Sequence, residues 1–238
     1  MEKIVAVVLG GGAGTRFGAA RPKQLLTLDG KTLVEHCVAA FSAAPGVDEV
    51  LLVMPPGFTE EAARLVGDLG EARRGCVVIE GGVSRADSVR NAIRYLADRY
   101  DPADTGVLLH DAARPLIDQR VIADCVAALR VHDAVGTAVP TSDTIVVAKD
   151  GVMSHVPPRE TLLRCQTPQC FRLSVIAAAH ELAAADPAFV PTDDCGVVLR
   201  YLPDVPVHVV TGSERNLKVT YPADLAVAEA LLRSSPPP

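Results

Sequence analysis

The chain has 238 residues, 49% hydrophobic and 22% charged, enough to bury one large core, and no linker divides it. A formal charge of −6 at pH 7 excludes a general attraction for nucleic acid, so anion binding has to come from local clusters. No apolar run is long enough to cross a bilayer, and Met1-Glu2-Lys3 leads into a strand without a signal-peptide layout, so a cytoplasmic protein with no membrane partner is expected.

Ile4 to Leu9 is an uncharged, β-branched run, which reads as a buried strand. It breaks into Gly10-Gly11-Gly12-Ala13-Gly14-Thr15, with Arg16, Arg21 and Lys23 close behind. Glycine lets backbone N–H groups lie against an anion, and the three cations suit a polyphosphate. A P-loop is excluded because Gly14 leads into Thr15-Arg16-Phe17 and not Gly-Lys-Ser/Thr. The dinucleotide fingerprint fails as well, since Phe17 stands where its last glycine belongs.

Thr32-Leu33-Val34-Glu35 is a capping box opening a helix with Leu33, Val34, Cys37, Val38 and Phe41 on one face. Strand 49–54, helix 59–66, strand 76–80, a helix capped by Ser84, strand 107–110, a helix capped by Asp118 and strand 134–139 follow. This alternation predicts a Rossmann-like, doubly wound, mostly parallel sheet with ligands at the carboxyl ends of its strands. Gly81-Gly82-Val83-Ser84-Arg85 and His110-Asp111-Ala112-Ala113-Arg114 fall at such ends.

From Thr144 the rhythm fails. Two short β runs, 144–148 and 152–156, flank Lys149-Asp150-Gly151, a hairpin-turn signal, and predict an arm inserted into the domain. Thr167-Pro168-Gln169, a helix from Leu173 to Ala185, the cluster Thr192-Asp193-Asp194, a strand 207–211 and Asn216-Leu217-Lys218 complete the chain before a last helix. One domain over 1–233 is expected, with 141–170 as a protruding dimerisation arm and 234–238 as a disordered tail. Cys165, Cys170 and His155 are the one conceivable zinc set; reduced thiols in the core are the expected state of the cysteines.

The residues at the strand ends are one-sided: Arg16, Lys23, Arg114, Arg215 and Lys218 are cations, and Asp111 is the lone carboxylate among them. No nucleophile stands beside a base and no carboxylates pair at suggestive spacing, which leaves transfer of a phosphoryl or nucleotidyl group. Each residue has a plainer reading too: Asp111 as a loop cap, Ser88 as a helix-surface residue, Arg159 as a solvated charge.

Leu9-Gly10-Gly11-Gly12-x-Gly14-x-Arg16 with Pro22-Lys23-Gln24, Gly81-Gly82-x-x-Arg85-x-x-Ser88, His110 to Pro115, Asp143-Thr144, Thr167-Pro168-Gln169 and Lys218-Val219-Thr220 together resemble the 2-C-methyl-D-erythritol 4-phosphate cytidylyltransferase family. The resemblance implies a nucleotidyltransferase-like fold, CTP and a polyol phosphate as substrates, Mg²⁺ as cofactor and a homodimer. It implies Arg16, Lys23 and Lys218 as catalytic cations. Gly10, Gly11, Gly12, Ala13, Gly14, Thr15, Gly81, Gly82, Arg85, Ser88 and Asp111 would bind the nucleotide. Asp111, Arg114, Thr144, Arg159, Thr167 and Thr192 would bind the acceptor, with Asp111 also at the metal and Thr144 and Arg159 coming from a neighbouring subunit's arm.

The chain departs from this pattern at Leu9-Gly10-Gly11-Gly12, where many members open Ala-Ala-Gly, and at Val83, where an acidic residue is often found. Those glycines, Leu163-Arg164-Cys165 and Thr192-Asp193-Asp194-Cys195-Gly196 resemble the sister branch that uses ribitol 5-phosphate. Ribitol 5-phosphate is therefore the alternative acceptor. A non-catalytic nucleotide-binding regulator is the alternative from another class.

Overall fold

The first strand, β1 (Lys3–Leu9), is apolar throughout because helices cover both of its faces. Ile4, Ala6 and Val8 enter one core layer, and Val5, Val7 and Leu9 enter the other. The computed structural model to which this strand belongs describes residues 1–11, 22–70 and 75–234. Gly12, Ala13, Gly14, Thr15, Arg16 and Arg21 lie outside the described residues, as does the tail from 235.

After a 3-10 turn at Lys23–Leu25, the chain makes a small antiparallel hairpin of β2 (Thr27–Leu28) and β3 (Lys31–Thr32). Its turn residues Asp29 and Gly30 both have positive φ, 47° and 81°, as a tight Asp-Gly hairpin requires. Helix α1 (Leu33–Ser42) starts on the expected capping box: the Glu35 N–H donates to Thr32 Oγ1 and the Thr32 N–H to Glu35 Oε2 at 2.7 Å. Then come β4 (Glu49–Met54), α2 (Thr59–Gly67), β5 (Cys76–Glu80) and α3 (Arg85–Ala97). After these, β6 (Thr105–Asp111), α4 (Gln119–Leu129) and β7 (Ala134–Pro140) complete the regular alternation.

The second half is β8 (Val147–Lys149), β9 (Val152–His155), β10 (Leu163–Arg172), α5 (Leu173–Ala184), α6 (Asp194–Tyr201), β11 (His208–Thr211) and α7 (Pro222–Arg233). The main sheet runs β11-β7-β10-β6-β1-β4-β5. Residues of α1, α2 and α4 pack on one face, those of α3, α5 and α6 on the other. Helix α7 closes a third cluster with Leu28, Leu33, Leu116 and Val219, and so fastens the β2–β3 hairpin to the body.

The sheet is parallel as expected except for β10, which runs antiparallel between β6 and β7. The sequence reading assigns no strand there, because Gln166-Thr167-Pro168-Gln169 is polar and contains a proline. The strand accommodates it by a register shift between Cys165 and Gln169. This corrects the expected arm of 141–170. From Leu163 onward the chain belongs to the main sheet, with Gln166 to Cys170 buried. What projects is β8 and β9, paired only with each other around Asp150 and Gly151, whose φ values of 52° and 78° repeat the Asp-Gly turn.

Candidate active site

β6, β1, β4 and β5 are neighbours in the sheet and end together. The two glycine turns are drawn against each other there: the Gly10 N–H donates to Val53 O and the Gly81 N–H to Met54 O, each at 2.7 Å. Ser88, on α3, lies between them. Its hydroxyl donates to Ser84 O at 3.0 Å and accepts from the Gly82 N–H at 3.1 Å. A Cβ on Gly81 would sit 2.6 Å from that oxygen, and one on Gly11 would also collide with it, so both turns need glycine for close approach. Ser88 is fully buried, which removes the reading of it as a helix-surface residue.

Asp111 ends β6 inside this corner. Arg85 Nε donates to its Oδ1 at 3.0 Å and Lys218 Nζ to its Oδ2 at 2.6 Å. Arg85 also donates through Nη2 to Asp194 Oδ2 at 2.7 Å, and His180 Nε2 donates to Asp194 Oδ1 at 3.0 Å. Asp111 is therefore not a lone carboxylate, which corrects the sequence reading: Asp194 shares its arginine, 83 residues further on by subtraction of the two numbers. Burial alone would push the Asp111 carboxyl up, but the charges of Arg85 and Lys218 outweigh it and hold the group well below the usual carboxylate range. Asp194 is lowered in the same way, with burial opposed by Arg85 and His180. Arg85 is held charged by the two carboxylates against the pull of burial.

Around this pair lies a cavity of about 250 Å³ whose wall includes Arg85, Asp111, Arg114, Thr167, Thr192 and Lys218. Thr167 holds the strand end in place, its hydroxyl accepting from the Asp111 N–H at 3.1 Å and donating to His110 Nδ1 at 3.1 Å. The other His110 nitrogen donates to Arg114 O, and burial lowers this histidine's pKa to about 4, so the ring is neutral near pH 7. Arg114 donates to Asn216 O at 2.7 Å and more weakly to Cys165 O at 3.4 Å. Its guanidinium makes no hydrogen bond to a carboxylate among the described residues, and its Nε is buried without a partner there. A guanidinium so placed leaves positive charge for an anion in the cavity.

Lys23 reaches the same segment from the other side, its ammonium donating to Val219 O at 2.8 Å. Asp193 caps α6 through the Gly196 N–H at 2.9 Å. Gln169, buried in β10, ties that cap to the sheet. Its Nε2 donates to Asp193 Oδ2 at 2.9 Å, and its Oε1 accepts from the N–H groups of Asp194 and Cys195 at 2.9 and 3.1 Å.

The structure thus brings Lys23, Gly10, Gly11, Gly81, Gly82, Arg85, Ser88, Asp111, Arg114, Thr167, Thr192 and Lys218 to one end of the sheet. Thr144 and Arg159 are on the exposed arm, where Arg159 Nη2 donates to Thr144 Oγ1 at 2.9 Å. Arg215 serves α7, donating to Leu231 O at 2.6 Å. Asp194 and Gln169 stand in the motifs quoted from the sequence but were given no site role there, and His180 was not singled out. The signal for Asp194 was present, since Thr192-Asp193-Asp194 followed by an apolar run is a helix start. The imagined zinc set does not assemble: no group of three or more His, Cys, Asp or Glu side chains able to hold a metal exists among the described residues, and Cys170 is buried in β10.

A scan against family models matches the chain over residues 4–234 to IspD, 2-C-methyl-D-erythritol 4-phosphate cytidylyltransferase. The enzyme of that name from Thermobifida fusca is 52% identical over 98% of this chain and 94% of its own length. A bifunctional ribulose 5-phosphate reductase/CDP-ribitol pyrophosphorylase from Haemophilus influenzae is 35% identical over 98% of this chain and 49% of its own. The solved 4-diphosphocytidyl-2C-methyl-D-erythritol synthase of Anaerococcus prevotii has a TM-score of 0.84 at 25% identity, covering 97% of this chain and 96% of the other. That of Thermus thermophilus, a 2-C-methyl-D-erythritol 4-phosphate cytidylyltransferase, has a TM-score of 0.75 at 31% identity, over 98% and 100%. These similarities favour neither the ribitol alternative nor a non-catalytic regulator. The chain belongs to the 2-C-methyl-D-erythritol 4-phosphate cytidylyltransferase family and is a nucleotidyltransferase.

Proposed function

We propose that the protein transfers the cytidylyl group of CTP to 2-C-methyl-D-erythritol 4-phosphate and releases pyrophosphate, acting in the cytoplasm. The observation that carries this reading is the buried Asp111 carboxylate between Arg85 and Lys218, in a cavity that Arg114 also lines. An acceptor phosphate oxygen attacks the α-phosphorus, and the bond to the bridging oxygen of pyrophosphate breaks in line. A phosphate monoester has a second pKa of about 6 and so needs no general base. His110, behind the strand end, is already spent on Arg114 O and Thr167.

The protein's task is to reconcile two anions. Lys218 is only half-buried, and an incoming α-phosphate competes with Asp111 for its ammonium. Lys23, one residue away on Val219 O, and Arg16 would meet the triphosphate and the charge that grows on the leaving group. Arg114 would meet the acceptor. A single carboxylate suits Mg²⁺, which keeps water and phosphate ligands and uses few protein ones; Asp111 would hold it, and bound there it would neutralise triphosphate charge.

We propose further that the arm covers a second copy of the chain. Val152 and Met153 are 69% and 70% exposed, with Ile145, Val147 and Val156 beside them in sequence and also exposed. A twofold dimer would bury that surface and bring Thr144 and Arg159 to the neighbour's acceptor phosphate. Incubation with CTP and Mg²⁺ plus either 2-C-methyl-D-erythritol 4-phosphate or ribitol 5-phosphate, following pyrophosphate release, tests the reaction. Faster turnover of the methylerythritol acceptor is expected. Faster turnover of ribitol 5-phosphate would overturn the acceptor, and no release with either would overturn the reading.

A further inference from the structure

Two of the six cysteines meet at the cavity wall, and nothing in cytidylyl transfer uses them. Cys165, on β10, is exposed and lines the cavity. Its thiol accepts from Gln169 Nε2 at 3.0 Å and lies 3.4 Å from Asp193 Oδ2. Cys195, in the first turn of α6, is buried, and its thiol lies against Gly136 of β7, where a Cβ would approach to 3.1 Å. Gly136 is two residues from Ala138, the partner of Cys165 across the sheet. Gln169 joins the two residues, its Nε2 on the Cys165 thiol at 3.0 Å and its Oε1 on the Cys195 N–H at 3.1 Å. The neighbouring Cys195 thiol and then Gln169 pull the Cys165 thiol down, against burial and the Asp193 charge, while the Cys165 thiol and burial push Cys195 up. Arg114, donating to the Cys165 carbonyl, adds positive charge nearby. An accessible thiol with a lowered pKa and a second thiol in reach is what oxidant-sensitive cysteines share.

We propose that Cys165 and Cys195 are a reversible oxidation site, and that their disulfide disables the catalytic cavity. With hydrogen peroxide as oxidant, the Cys165 thiolate attacks one peroxide oxygen; the O–O bond breaks, hydroxide leaves, and the sulfur, oxidised by two electrons, becomes a sulfenic acid. The Cys195 thiol, giving up its proton, attacks that sulfur. The S–O bond breaks, the oxygen leaves as water, and a disulfide joins β10 to α6. A dithiol reductant reverses both steps. The bond removes the acceptor of Gln169 Nε2 and drags the first turn of α6, which Gln169 holds through Asp193, Asp194 and Cys195. Asp194 then no longer holds Arg85 in register with Asp111.

The test treats the wild-type protein with hydrogen peroxide, blocks remaining thiols with iodoacetamide and maps peptides by mass without reductant. A cross-linked pair containing Cys165 and Cys195 is expected, lost on adding dithiothreitol. Turnover of CTP should fall about 100-fold, the scale set by displacing a catalytic group by an ångström, and return with the reductant. Cys195→Ala should leave a Cys165 sulfenic acid that dimedone captures, and Cys165→Ser should form neither product. The proposal fails if Cys165 takes up iodoacetamide equally before and after peroxide. It fails too if treated Cys165→Ser loses the same fraction of its own untreated activity as wild type. The activity arm rests on the proposed transfer, the mass map does not; a chain that forms the disulfide yet never turns over CTP refutes the function and leaves the thiol pair standing.

Discussion

The cavity and the arm carry the same kinds of side chain in opposite physical settings. Around Asp111 the buried ion pairs answer one another: Arg85 is met by two carboxylates, and Asp194 by Arg85 and His180. On the arm, Arg159 meets only the Thr144 hydroxyl among the described residues, both are exposed, and Val147, Val152 and Val156 face outward. The ion pairs of the first region close within one chain. The second has the composition of an interface that a lone chain leaves open. Substitutions should therefore cost stability at the buried ion pairs of the cavity and cost only activity on the arm.

The sharpest break in that contrast is Asp194→Asn. Removing one member of a buried ion pair leaves its partner uncompensated, and a loss of about 3 kcal/mol in urea unfolding is expected. An unchanged midpoint would show that Asp111 alone can hold Arg85. Lys218→Ala comes next. Its ammonium is half exposed, so folding should hardly change, but turnover measured by pyrophosphate release should drop about 100-fold or more. If only the Michaelis constant for CTP rises, Lys218 binds the ground state and takes no part in the transition state.

A third test uses pH. The folded pKa of His110 lies near 4, below its ordinary 6.5, so between those values the unfolded chain binds the extra proton. The contribution is complete above about pH 6.5 and is lost on acidification, roughly 2–3 kcal/mol between pH 7 and pH 4.5. Asp111 and Asp194, also depressed, add to acid sensitivity only below about pH 4, because their stabilisation persists until they protonate. Unfolding midpoints at the two pH values should converge in His110→Gln; a slope equal to wild type's would place the proton elsewhere. The arm is tested by complementation. Arg16→Ala and Arg159→Ala proteins, each inactive, should recover about a quarter of wild-type sites when their subunits exchange, since one site of a mixed dimer keeps both arginines. Exchange without recovery would return Arg159 to its own subunit or to the solvent.

The strand–helix alternation from Thr32 to Pro140 was legible because local signals and tertiary demands agree there, whereas the β2–β3 hairpin before it was not named. Thr32 and Glu35, Ser84 and Asp87, and Asp118 mark helix starts that the structure keeps, and the strands buried on both faces are continuous apolar runs. Legibility fails at β10 for a physical reason. Gln166, Thr167 and Gln169 are buried, but each is polar because it holds another element: Ser213 and Asn216, the Asp111 N–H, and the start of α6. A strand whose inward side chains make hydrogen bonds in place of apolar contacts has no periodic signature. Asp194 was hidden differently. Its role depends on Arg85, 109 residues away, and only folding brings them together.

The antiparallel β10 has a consequence for how the chain is made. β7 pairs only with β10 and β11, and β6 has β10 as its second neighbour, so both strands leave the ribosome before their partner exists. Until Arg172 has been synthesised, the nascent chain carries β7 as an unpaired apolar segment and β6 with one open edge. At about 5–20 residues per second, the stretch from Pro140 to Arg172 keeps those edges open for seconds. The arm is translated inside that interval. The hairpin that faces outward in the finished protein is thus also the delay before the sheet can close, and the length of the arm sets how long the newborn chain stays open to aggregation.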